Sequence, residues 1–161
     1  MMDDDLRFFE RDEDLRLHKL TLLNDMIRDL EYMMQDYRHG GISARQGNNN
    51  MVEDCAFNTR VTNFHFYHVA TVKKTVRFSD IKVMEDFWVT LHMLQAGYPN
   101  ACLYHYCWNQ VGSGAEGGCS TFRTKKVQRK AAEQLHETFP EYVKLVEKES
   151  KGAGIFNGNR S

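Results

Sequence analysis

Proline is almost missing from this chain: only Pro99 and Pro140 occur in 161 residues. Together with a hydrophobic content of 42%, that scarcity excludes a disordered segment and allows one domain with a real core. The four cysteines, Cys55, Cys102, Cys107 and Cys119, never fall in CxxC spacing, so a structural zinc site is excluded. No apolar run approaches the length of about 20 residues that crosses a bilayer, and no leader of signal-peptide type opens the chain. The expected location is therefore a reducing cytoplasm with free thiols and no membrane partner. A formal charge of −1 excludes a global basic field of the kind that draws a whole protein onto nucleic acid. No internal repeat is present.

What is present is patterned. Residues 12–38 are expected to form one long helix, because Leu15, Leu20, Leu23, Ile27, Leu30 and Met34 recur at three- and four-residue steps. The "HGG" at 39–41 supplies its stop. A polar stretch, "ISARQGNNNMVEDCAFNTR", reads as a loop. "NFHFYHV" and "VKKTVRF" alternate and suggest two strands of a hairpin, with His65, His68 and His92 as core or surface residues rather than metal ligands. "MEDFWVTLHMLQAG" is the clearest helix, ending at Gly97 before Pro99. "ACLYHYCW" is an apolar strand, "VGSGAEGGCS" a glycine loop, "RTKKVQRKAAEQLHETF" a basic helix and "YVKLVEKES" a final strand. The order of elements places the chain in the α/β class. Residues 1–151 form the domain and 152–161 a flexible tail. The opening "LRFF" resembles the end of a strand whose beginning is missing.

Three constellations could carry chemistry. Asp3 and Asp5 lie in a triplet of aspartates and, on a strand, point to one side. Two such carboxylates can hold Mg²⁺ or Mn²⁺ together with the phosphates of a substrate; they can equally be a solvated acidic end. Glu85 and Asp86 open a helix, where the positive helix end favours a carboxylate. One of them can serve as general base if it reaches an acceptor hydroxyl, the other capping the helix or pairing with a basic neighbour such as Lys82; both can also be ordinary helix-start acids. The loop containing Gly117, Gly118, Cys119 and Ser120, followed by Arg123, can bring backbone N–H groups and a guanidinium to an anion, or be merely flexible. It lacks the GxxxxGK[ST] pattern of a Walker loop. Five basic residues in eight, at 123–130, form either a solvated face or a track for a phosphate backbone.

"DDDLRFF", "GISARQGNN", "VMEDFWVTLHMLQAGYPN", "GGCSTFRT" and "FPEYVKLVEK" together resemble the TET/JBP-associated glycosyltransferases, a GT-A-like family found mainly in bacteriophages. The resemblance implies a metal-dependent hexosyltransferase. It moves a sugar from a nucleotide-sugar donor, expected to be UDP-linked, to a hydroxymethylated pyrimidine such as 5-hydroxymethylcytosine in DNA. It implies that Asp3 and Asp5 form the DxD motif, with His105 as a third ligand of Mn²⁺ or Mg²⁺. Asp86 is then the favoured base, Glu85 its neighbour, and Gly117, Gly118, Cys119, Ser120 and Arg123 the donor-phosphate loop. A GT-A enzyme carries a nucleotide-binding half before its DxD motif, and only two residues precede it here. The chain is therefore expected to be the C-terminal half of the fold, starting at the DxD motif: a fragment, a truncated gene product, or one partner of a split protein whose N-terminal half is supplied by another chain. The host cytoplasm is its location if it is phage-encoded. The alternative is an inactive or split relative that keeps the fold as a binding module.

Overall fold

The computed structural model describes residues 6–48, 51–110 and 124–146. Its elements run β1 (Leu6–Arg11), β2 (Leu17–Lys19), α1 (Leu23–Met33), β3 (His39–Ala44), α2 (Arg45–Asn48), β4 (Cys55–Phe57), β5 (His65–Tyr67), α3 (Val69–Thr75), a 3₁₀ turn (Phe78–Asp80), α4 (Glu85–Gln95), β6 (Asn100–Gln110) and α5 (Lys125–Thr138). The strands form one mixed sheet in the order β2-β1-β6-β3-β5, with β4 also paired to β6. Among the described residues, β3 and β6 pair in parallel and the other ladders are antiparallel. The class is mixed α/β, as the order of elements suggested.

The long helix expected over 12–38 is absent. Its first third is the turn of a β-hairpin: the Asp12 carboxylate accepts backbone N–H bonds from Asp14 and Arg16 and a contact from His18, and Leu15 sits at φ 62°. A short polar side chain that bonds its own backbone competes with the helix, and here it wins. Within α1 it is Met26 and Leu30 that are buried, whereas Leu23 and Ile27 face outward. The "LRFF" stretch lies in a strand, β1, described from Leu6 to Arg11. "HGG" begins β3 instead of stopping a helix, and the supposed loop after it contains α2 and β4. The second strand of the expected hairpin is helix α3, whose Val72 and Val76 are buried four residues apart. Of the expected last strand, residues up to 146 are irregular and the rest lie outside the described residues.

Alternation along β5 divides the apolar core in two. Phe64, Phe66, Ile42 and Tyr106 pack with Met26 and Leu30 of α1. On the other side Tyr67 joins a second cluster, in which Val72, Trp88, Val89, Met93, Leu135 and Phe139 tie α3, α4 and α5 together. Phe139, 1% exposed, meets the rings of Trp88 and His92 edge-on. Burial of side chains of this size contributes about 1.5–3 kcal/mol each. Cys55 and Cys107 are free thiols, and burial raises both, the latter to about 11. Among the described residues no helix is long and apolar enough to cross a membrane.

Two glycines of β3 permit the close approach of its neighbours. A Cβ at Gly40 would collide with the Ala101 carbonyl oxygen and the Phe66 ring; one at Gly41 would strike the Phe64 carbonyl. Gly47, in α2, has open space around it. Gly40→Ala is expected to cost about 2–3 kcal/mol through overpacking against backbone that cannot rotate away. Gly47→Ala should be neutral or stabilise by up to about 1 kcal/mol. Urea midpoints of the two variants, compared with the parent, check both.

Candidate active site

The site grows from the start of α4. Met84 precedes the helix in the left-handed region, at φ 66°, and gives it no side-chain cap. The exposed N–H groups of the first turn therefore favour the two carboxylates there, Glu85 and Asp86. The helix ends as its sequence suggested, with Gly97 at φ 83°.

Asp86 is ion-paired, and with a residue far away in sequence. The Nε and Nη2 of Arg60 both donate to Asp86 Oδ2, at 3.0 and 2.7 Å. The guanidinium carbon lies 3.7 Å from the centre of the Phe87 ring, so its flat face stacks on the aromatic beside the carboxylate. The basic neighbour suggested from sequence was Lys82, paired with whichever acid faced away; the structure pairs Asp86 itself, and with Arg60. Arg60 is in turn placed by Asn100, the first residue of β6 and fully buried. The Asn100 side chain accepts from the Thr59 N–H at 2.9 Å and donates to the Thr59 carbonyl at 2.7 Å.

Beneath the carboxylates lies a group of aromatic and imidazole rings. His39 and Tyr67 are opposite each other on β3 and β5, and the rings of His65 and Tyr67 stack 5.5 Å apart. Burial pushes His39 down to about 4, aided by repulsion from His65. Burial likewise pushes His65 down to about 4, against the attraction of Asp86. Both are therefore neutral at pH 7. Burial first, then the charges of Asp86 and Glu85, raise Tyr67 far above its ordinary value, so its hydroxyl keeps its proton. Among the described residues, both ring nitrogens of His39, the Tyr67 hydroxyl and the Thr90 hydroxyl have no hydrogen-bond partner although buried. Polar atoms in that state concentrate where a protein does chemistry more often than in an ordinary core.

His105 is exposed on β6 with its ring edge-on to Tyr106 at 4.6 Å. Asp3, Asp5, Gly117, Gly118, Cys119, Ser120 and Arg123 lie outside the described residues. Among the described residues no group of three His, Cys, Asp or Glu is assembled for a metal ion. Sequence reasoning missed Arg60, Asn100, His39 and Tyr67. Arg60 is 26 positions from Asp86 in an aperiodic stretch, and no spacing rule connects them. His65, read from sequence as a core or surface residue, is buried.

Comparison with known proteins gives one relationship. The chain is 30% identical over 69 residues to a beta-glucosyl-HMC-alpha-glucosyl-transferase of Enterobacteria phage T2, and equally to that of phage T6. The match covers 43% of this chain and 25% of each relative, so the chain spans about a quarter of the length of the curated relatives it matches. No family model matches, and no solved structure does. The chain is thus similar to phage glucosyltransferases, and the mixed sheet has no solved counterpart that would define it as GT-A.

The neutral histidines make stability depend on pH. Each titrates near pH 6.5 unfolded and near 4 folded. Between these values the unfolded chain binds more protons, so their contribution is complete above pH 6.5 and is lost as pH falls toward 4. Replacing His39 with Asn removes one of the two titrations. Melting temperature plotted from pH 7 to 4 should fall less steeply in that variant than in the parent; parallel curves would show that His39 is not buried neutral.

Proposed function

We propose that this chain belongs to a glycosyltransferase that moves a sugar from a nucleotide sugar to hydroxymethylcytosine in DNA. The observation that carries the reading is the 69-residue match to two phage enzymes named for glucosyl transfer to glucosylated HMC. The acceptor is accordingly the hydroxymethyl group or a sugar already attached to it, and the donor is UDP-linked. Asp86 supports this reading independently. It is a carboxylate at a helix start, its side chain 16% exposed, beside buried polar atoms that lack partners.

In an inverting transfer the acceptor oxygen forms a bond to the sugar's anomeric carbon as the bond from that carbon to the diphosphate breaks. The acceptor's proton goes to Asp86, and the electron pair of the broken bond leaves with the diphosphate. Oδ2 of Asp86 is occupied by Arg60, which leaves Oδ1 for the proton. Glu85 stays beside it as a second negative charge on the first turn. Asp3 and Asp5, with His105 as third ligand, would hold Mn²⁺ or Mg²⁺, which would supply positive charge for the leaving diphosphate. The His105 imidazole is exposed on β6. Gly117, Gly118, Cys119, Ser120 and Arg123 are assigned to the donor phosphates. Lys125, Lys126 and Lys130, exposed on α5, are assigned to the phosphate backbone of the acceptor; Arg129 is committed to Glu133 at 2.9 Å.

Asp86→Asn keeps the size of the side chain but cannot take a proton. In a preparation that transfers sugar, it should lower the rate by at least about 100-fold, the scale of a lost general base. Donor affinity and the melting temperature should be little changed. Glu85→Gln should do less. Undiminished transfer by Asp86→Asn would reduce Asp86 to a helix-start carboxylate or require a retaining mechanism.

A further inference from the structure

Asp86 is on the rim of a helix, and a lone aspartate there rotates freely about its last torsion, which has a broad profile. Here it does not stand alone. Two donors of Arg60 converge on one oxygen, Oδ2, and the guanidinium face is pinned to Phe87, the next residue of the same helix. The fork and the stack together leave the carboxylate one orientation, with Oδ1 turned away from the arginine and accepting no bond among the described residues.

Arg60 needs support of its own, since it lies in an irregular segment and its side chain is 42% exposed. That support comes from the sheet. Asn58 turns the chain out of β4 with φ 50°. Its N–H donates to the backbone carbonyl of Asn100 at 3.0 Å. The Asn100 side chain then closes on both polar groups of Thr59, the residue before Arg60. Asn100 is 0% exposed and starts the central strand, so three hydrogen bonds fasten the segment before the arginine to the centre of the sheet.

We propose that Arg60 is a positioning residue for Asp86, held in place by Asn100, so that the clamp on Oδ2 aims Oδ1 at the acceptor hydroxyl. The proposal rests on the reading of Asp86 as base. It adds that the transfer rate depends on a residue that touches neither substrate. A displacement of about 1 Å at a reacting group can cost about 100-fold in rate, so loss of the clamp acts on turnover rather than on binding.

The test combines a rate and a signal that needs no substrate. In a preparation that transfers sugar, Arg60→Ala should lower kcat at least about tenfold while the donor KM changes less than about twofold. Guanidinium added to the solution should restore part of the loss, which it would not do for a structural defect. Arg60→Lys should restore little, because an ammonium cannot fork or stack in the same way. Independently, the Arg60 Nε–H should give a resolved, exchange-protected NMR signal in the parent. That signal should be lost in Asp86→Asn and weakened in Asn100→Ala. A kcat for Arg60→Ala within about twofold of the parent, or an Nε–H that exchanges freely in the parent, overturns the positioning role. Loss of transfer in Asp86→Asn with Arg60→Ala unaffected removes only this proposal, whereas full transfer by Asp86→Asn removes the base reading beneath it.

Discussion

The rest of the fold depends on how β6 is shared. One edge of the strand takes β3 in parallel; along the remainder it pairs β4 at Ala101–Leu103 and β1 at Tyr106–Gln110, both antiparallel. Between these stretches the register to β3 jumps, from Ile42 opposite Leu103 to Ser43 opposite Cys107. Tyr104 is left without a strand partner at the step, and a buried backbone group without a bond is costly. Asn48 and Asp54 meet the need: the Asp54 carbonyl accepts from the Tyr104 N–H at 2.7 Å, and the Asn48 amide donates to the Tyr104 carbonyl at 2.7 Å. Asn48 also bonds the Ser43 hydroxyl and is gripped by buried Arg11 through its side-chain and main-chain oxygens. A guanidinium with so little exposure is tolerated because its donors are met by oxygens of Asn48 and Glu53.

Parallel pairing of β3 and β6 has a second consequence. Two parallel neighbours cannot be joined by a tight turn, so the chain between them must leave the sheet and return. It first adds β4 and β5 to the sheet, then leaves it through α3 and α4, and the return brings the carboxylates of Glu85 and Asp86 within electrostatic reach of Tyr67. The same strand that imposes the crossover begins with Asn100, which reaches back to Thr59 and so to Arg60. A single structural demand, a central strand with neighbours on both edges, therefore locates both members of the Arg60–Asp86 pair.

The parts legible in the sequence are those whose causes are local. Helix α4 was readable from Phe87, Leu91 and Leu94, the acids at its start and Gly97 at its end; α5 and β6 were readable from charge and apolar runs. The parts misread are those decided by distant pairing. The β1–β2 hairpin hid behind leucines at helical spacing, because Asp12 closes its turn with bonds that hydrophobic periodicity does not register. Helix α3 hid behind valines that favour strands but are buried four apart against α4. At the site, Asp86 was legible as a helix-start carboxylate. Arg60 was not, since its role arises from an asparagine 40 residues later in the chain by way of the 41-residue span from Thr59 to Asn100.

The chemistry assigned to this framework joins a carboxylate held by an arginine to a buried floor of neutral polar rings. The substrates proposed for that arrangement follow from its likeness to phage glucosyltransferases. The most direct test is mass spectrometry of DNA containing 5-hydroxymethylcytosine, with and without a glucosyl group, after incubation with the protein, Mn²⁺ and a panel of nucleotide sugars. The account predicts a hexose added to one of these DNAs and none to DNA with unmodified cytosine. Absence of any sugar on both modified DNAs, under conditions where the protein is folded and binds the donor, would contradict it.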